Sequence, residues 1–343
     1  MLTLELNQCH VLRPTLTLIH HFICIHFVFD GSFHLHAAFV CVDEQSISKQ
    51  HFALCPRKIA GGALWDVGVL MAKLLVMATS PPPPPNSREP FIPRLVAPGV
   101  WGPVSWRERR VLELGCGVGL TGLVAGAVGA RAVLLTDLKA VVEGITQRNV
   151  EHNSHLGGNG GAKMSAMPLC WGNADDETAA AQELDRLAPP LLPNEKAGGR
   201  KKKKKSKLKV GKRDRDAACT GNLPLSSLTS TREGMPDILL IGDVAYQHRP
   251  GSESHFDILM STVLRFTDSQ TLVIFGTRMR MPASADLLEM FRKHFDEIVE
   301  PIEAHEIDKS FASANLGRKH NITIHLLRRK NDEVGSEEVG EFG

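Results

Sequence analysis

Val111-Leu-Glu-Leu-Gly-Cys-Gly-Val-Gly119 decides the fold. An apolar strand, Arg110 to Leu114, runs into a tight turn with glycine at every second position, and a helix from Gly119 to Val128 begins at once. Glycine is needed where the backbone must bend sharply and approach a ligand with no Cβ in between. Outward from this turn the alternation repeats. Ala132 to Thr136 reads as the next strand and Ala140 to Asn153 as a helix. Asp237 to Ile241 is another apolar run, followed by a helix with Phe256, Leu259, Met260 and Val263 at i, i+3, i+4, i+7 spacing. Thr271 to Phe275 is a strand, Ser284 is placed to cap a helix burying Leu287, Leu288, Phe291 and Phe295, and strands Glu297 to Ile302 and Asn321 to Leu327 close the series. Strands alternating with helices imply an α/β fold, a Rossmann-like and mostly parallel sheet with helices on both faces. Ligands then bind at the carboxyl ends of the strands.

Every chemically suggestive residue falls at such an end. Glu113, just before the glycine turn, is able to take a cationic or hydroxyl-bearing group. Asp137 ends the second strand, eighteen residues past Gly119, where a carboxylate accepts both hydroxyls of a ribose. Two ligands compete for this pattern. Gly117-x-Gly119-x-x-Gly122 is formally the fingerprint of a nicotinamide dinucleotide site. Against it, Glu113 would stand near a pyrophosphate, and the register makes Gly115, not Gly117, the turn residue. Both details favour S-adenosylmethionine, with Gly115, Gly117 and Gly119 on its amino-acid and ribose side. Asp137 has a blander role open to it as a helix N-cap, since helix is expected from Leu138 onward.

The segment Val111 to Asn153 resembles motif I and its continuation in seven-β-strand S-adenosylmethionine-dependent methyltransferases. Further pieces resemble the protein-lysine branch called methyltransferase family 16. Gly62-Ala-Leu-Trp65 is similar to its Gly-x-x-x-Trp element ahead of motif I, in the run Gly62 to Leu70. Asn149-Val-Glu-His-Asn153 and Leu169-Cys-Trp-Gly172 are similar to its Asn-x-x-x-Asn and Leu-x-Trp elements, and Asp243-Val-Ala-Tyr246 to its Asp-x-x-Tyr signature. The resemblance covers roughly Gly62 to Lys330. It implies a seven-stranded sheet with the last strand antiparallel, S-adenosylmethionine as methyl donor and a lysine of a protein as acceptor. It also implies a monomer that recognises one partner.

On that reading Trp65 and Trp171 flank the donor, although both are large enough to be core. Asp243 and Tyr246 stand at the carboxyl end of the fourth strand, beside the methyl group. A lysine amine, with a reference pKa of about 10.4, must lose its proton before it attacks. Asp243 would orient the incoming ammonium, and Tyr246, the one tyrosine in the sequence, would add a hydrogen bond and an aromatic wall. A surface Asp beside a packing Tyr is the plainer alternative. No Asn/Asp-Pro-Pro-Tyr/Phe string occupies this strand end, which counts against methylation of nucleic-acid bases. Methyl transfer to small molecules or other nucleic-acid groups, and nicotinamide-dependent oxidation, remain the competing activities.

Composition sets the surroundings. A net charge of +2 gives no whole-protein attraction to polyanions. The cluster Lys201 to Lys205, continued by Lys207, Lys209, Lys212 and Arg213, is local and lies in an insertion expected from about residue 173 to 234. Such a run reads as a disordered linker, a nuclear address or a tether for nucleic acid. Five prolines, Pro81 to Pro85, mark a second insertion at 80–93. The methyltransferase domain is expected at 60–330, an N-terminal extension or extra strand at 1–59 and an acidic tail at 331–343. Seven cysteines without a C-x-x-C pair suggest a reducing compartment, cytoplasmic with nuclear access. Cys116, inside the glycine turn, reads as a small packing residue. The apolar stretch Leu16 to Phe29 is interrupted by histidines, too short to span a bilayer and unlike a cleaved signal. His34-x-His36 lacks the further ligands of a metal site, so no metal is expected.

Overall fold

Consecutive residues of β5 (Arg110–Leu114) go to opposite cores, Val111 to one face and Leu112 and Leu114 to the other. The same period-two division holds in β6 (Ala132–Asp137), β8 (Ile238–Gly242) and β9 (Leu272–Arg278). A strand apolar on both faces can be satisfied only inside a sheet covered on both sides. The structure, a computed structural model of the chain, describes residues 3–5, 12–19, 22–29, 33–39, 65–79, 92–96, 99–101, 106–154, 162–189, 232–247, 255–279, 282–309 and 321–331.

The main sheet has the strand order β10-β12-β9-β8-β5-β6-β7, where β7 is Lys163–Pro168, β10 is Phe295–Glu297 and β12 is Ile322–Arg329. A short β11 (Ile302–Glu303) pairs with β12. Pairings from β9 through β7 are parallel, whereas β12 runs antiparallel to both β9 and β10. This is the seven-stranded sheet with its last strand inserted antiparallel. One face is covered by α1 (Asp66–Thr79), α2 (Leu120–Ala127), α3 (Lys139–Val141) and α4 (Gln147–His152). The other carries α5 (Ala174–Leu187), α6 (Phe256–Arg265) and α7 (Pro282–His294), and a short α8 (Ala304–Ile307) follows β11 on the first face.

Helix α1 packs directly onto the sheet backbone because its seat is made of glycine. Gly242 and Gly276 pair across β8 and β9, and Val67 and Met71 rest on them. A Cβ on Gly276 would come within 2.6 Å of Val67 Cγ1 and 2.7 Å of Met71 Sδ.

Several expectations need correction. The second insertion does not begin near 173: Ala174–Leu187 is a helix whose Ala180, Ala181, Leu184 and Leu187 are buried, a stripe masked in the sequence by the acidic residues around it. Ser284 is not an N-cap. The helix starts at Pro282, suited to a first turn that needs no N–H, and the buried Ser284 hydroxyl donates to Arg278 O at 3.2 Å. The helix expected over 140–153 is broken by a π-turn, Val142–Thr146. Strand 297–302 is instead the pair of short strands β10 and β11. Strand β7 and helix α1 were not read from the sequence at all. The N-terminal region holds four antiparallel strands in the order β1-β2-β3-β4: Thr3–Glu5, Leu12–Ile19, Phe22–Phe29 and Phe33–Phe39. The proline run, the lysine cluster and the acidic tail beyond residue 331 lie outside the described residues. Among those described, no helix is long and apolar enough to cross a membrane, and no group of three or more His, Cys, Asp or Glu could hold a metal ion.

Candidate active site

The carboxyl ends of β5, β6 and β8 come out side by side, because Leu114 is paired with Thr136 on one flank and with Ile241 on the other. Gly115 therefore emerges between Asp137 and the Gly242-Asp243 corner. Gly115, Gly117 and Gly119 have φ of +66°, +54° and +82°, a left-handed region in which a side chain is strained. Space is tight at Gly115 as well: a Cβ there would meet Val244 Cγ1 at 3.2 Å and Trp171 Cζ2 at 3.4 Å. Three strand ends thus converge on one bare stretch of backbone.

Asp137 closes this loop from the second strand. Its Oδ2 accepts from Gly117 N at 2.8 Å and its Oδ1 from Leu138 N at 2.7 Å. Burial raises its pKa above the ordinary carboxylate value, and the two amides oppose that rise. Leu138, beside it, is half exposed. The N-cap position of α3 belongs to Leu138, so the plain capping role for Asp137 is not what the geometry shows.

Glu113 faces inward. Only 5% exposed, it accepts from Gly122 N at 2.8 Å with Oε2, so its carboxylate lies against the first turn of α2. Burial pushes its pKa up to about 8, against the lowering effect of the Gly122 amide and the Thr121 hydroxyl. Cys116 is buried in the same loop, and burial pushes its thiol up, which suits packing and not nucleophilic chemistry.

The π-turn supplies clamps that the sequence did not announce. One extra residue in that turn brings Thr146 against the glycine loop, where its hydroxyl donates to Gly117 O at 2.6 Å. One turn on, Asn149 Nδ2 donates to Val118 O at 2.7 Å, and Asn153 Nδ2 donates to Asn149 O at 2.7 Å. The Asn-x-x-x-Asn pair is therefore a support for the loop. A threonine in mid-helix carries no sequence signal of this kind.

Asp243 is the only described residue other than glycine with positive φ, at +52°. It is 6% exposed, and its amide donates to Gly276 O at 2.8 Å. An aspartate held in the left-handed region at a strand end is uncommon and marks a constrained corner. Tyr246 lies in the 3-10 turn Val244–Gln247 that follows. Trp171 lies half-buried against Gly115, whereas Trp65, also half-buried, immediately precedes α1. The structure brings together Gly115, Gly117, Asp137, Trp171 and Asp243.

Residues 56–187 match a family model described as lysine methyltransferase. The chain is 43% identical over 70 residues to calmodulin-lysine N-methyltransferase of Arabidopsis thaliana, a stretch that is 20% of this chain and 22% of that protein. It is 42% identical over 66 residues to methyltransferase-like protein 22 of Homo sapiens, 19% of this chain and 16% of that protein. The alignments thus span about a fifth of the curated relatives' length. Among solved structures, a TehB-like SAM-dependent methyltransferase from Corynebacterium glutamicum superposes with a TM-score of 0.36 at 11% identity, covering 82% of this chain and 97% of that one. Strand order, glycine loop and matched residues agree: the chain has the seven-β-strand fold of S-adenosylmethionine-dependent methyltransferases, and its residues 56–187 match the lysine methyltransferase family model.

Proposed function

We propose that the protein transfers a methyl group from S-adenosylmethionine to a lysine side chain of a protein substrate. The observation that carries this reading is the bare, left-handed backbone at Gly115 and Gly117, flanked by Asp137 on one strand and by Asp243 on another. With glycine at 115, 117 and 119 the loop presents main chain without Cβ atoms, as a ligand pressed against backbone requires. Asp137 would hold the ribose hydroxyls, the Gly115–Gly119 loop the amino-acid portion, and Trp171 one wall of the pocket. When bound, the donor supplies an electrophilic methyl carbon on sulfur.

The chain's own work is then positioning and exclusion of water. Asp243 orients the incoming ammonium, which gives up a proton to solvent before its lone pair attacks. A donor held there would lose its carbon–sulfur bond as the carbon–nitrogen bond forms, with S-adenosylhomocysteine as the leaving group. A lysine of a protein is the favoured acceptor because the family match and the name of the Arabidopsis relative both point to lysine.

Glu113 weighs against a nicotinamide dinucleotide. A pyrophosphate seeks the free amides at a helix N-terminus, yet Gly122 N at the start of α2 is already bound by the Glu113 carboxylate. The test is calorimetric titration with S-adenosylhomocysteine and, separately, NADH, followed by tritiated-methyl transfer to proteins of a cell lysate. Binding of the first ligand with label on lysine is expected. Binding of NADH alone would overturn the donor, and label on RNA or small molecules would overturn the acceptor.

A further inference from the structure

Trp171 is held by a partly buried polar triad outside the glycine loop. Gly172, with φ +73°, donates its amide to Thr262 Oγ1 at 2.8 Å, and also approaches Glu177 Oε1 at 3.3 Å. The Thr262 hydroxyl in turn donates to Glu177 Oε1 at 2.7 Å, with Ile258 O farther away at 3.2 Å. On the other side of Trp171 in the chain, Cys170 N donates to Asp176 Oδ2 at 2.9 Å. The amides flanking Trp171 are therefore both anchored to carboxylates of the first turn of α5, one of them through a residue of α6. Thr262 is fully buried and Glu177 nearly so, where a polar group left without a partner is costly.

We infer that Thr262 and Glu177 are positioning residues for the donor pocket: they fix the Cys170–Gly172 turn so that Trp171 stays against Gly115. This rests on the donor reading above. It also links that pocket to α6, the helix following the Asp243 corner. Their hydrogen bonds run to the Gly172 amide and to each other, so their effect on the pocket is exerted through Trp171.

The experiment is calorimetric titration of S-adenosylhomocysteine into wild type, Thr262→Val, Thr262→Ser and Glu177→Met, with a thermal melt of each. Thr262→Val keeps the shape and removes the hydroxyl; its affinity is expected to fall about tenfold, with Thr262→Ser restoring it. Glu177→Met, of similar length without the acceptor, should weaken binding in the same direction. It also serves as the independent probe should Thr262→Val fail to fold. Loss of melting temperature with wild-type affinity in the folded variants would overturn the inference, since that is what a purely structural triad does. Wild type that fails to bind S-adenosylhomocysteine would overturn the donor reading itself, and is distinguished from the former by the wild-type titration.

Discussion

At the scale of single residues, Glu113 and Asp137 are two carboxylates with different work. Asp137 accepts two amides at the mouth of the glycine loop, so removing it leaves Gly117 N without that acceptor and, on the proposed reading, takes away the group that would hold the ribose. Asp137→Ala should weaken S-adenosylhomocysteine binding by at least about tenfold, measured by calorimetry; unchanged affinity would remove it from the pocket. Glu113 governs pH dependence instead. Its folded-state pKa of about 8 lies above the ordinary 4.5, so between those values the folded protein binds a proton that the unfolded chain releases. Its contribution is full below the unfolded value, declines as pH rises, and is lost by about pH 8. Glu113→Gln keeps an acceptor for Gly122 N and cannot ionise. Its urea midpoint, relative to wild type, should therefore rise between pH 5 and pH 8. A difference that is flat across that range would show that Glu113 is not held protonated in the fold. Asp243→Asn keeps a residue that tolerates positive φ and loses the charge. Transfer should drop at least about 100-fold with donor binding retained.

At the scale of elements, the glycine seat under α1 and the π-turn after β6 both position the loop's surroundings. Replacing glycine within a strand ordinarily gains backbone order, but Gly276→Ala would drive a Cβ into Val67, which has no flexible end to swing aside. A loss of about 1–3 kcal/mol in denaturant unfolding is expected. The double variant with Val67→Ala should recover part of it, because the two changes share one contact. Additive losses would place the strain elsewhere. Asn149→Ala, which abandons Val118 O inside the protein, should cost about 1–3 kcal/mol by the same measurement.

At the scale of the molecule, the two ends of the strands are built differently. The glycine loop, Asp137 and Asp243 stand at the carboxyl ends of the strands. At the opposite ends a cluster of arginines gathers the chain. Arg110 binds Asp185 of α5 and also the carbonyls of Arg232 and Met235, while Arg131 donates to Ala188 O and Pro189 O. Arg232 itself bridges Asp237 and Asp268. Both attachment points of residues 190–231 are thus fastened together at the strand ends away from the pocket. Exchanging that stretch for a short Gly/Ser linker should leave S-adenosylhomocysteine affinity within about twofold, since loop length changes closure entropy and not these contacts. A large loss of affinity would mean that the segment reaches the donor site.

The sequence alone determined the parallel sheet, the glycine loop and its flanking acids, because those depend on local rules. Alternation of strand and helix, glycine where no side chain fits, and an acid at a strand end are all written in short windows. Edge strand β7, with its weakly apolar Lys163–Pro168, and α5, hidden among acidic residues, gave no such local pattern. Only the tertiary structure decided what each polar group faces. Glu113 proved to lie beneath α2, Thr146 and Asn149 to clamp the loop, and Thr262 to hold Trp171 from 91 residues away. Those partners are distant along the chain, and a hydrogen bond between them exists only after the two cores have fixed the sheet and its helices in place.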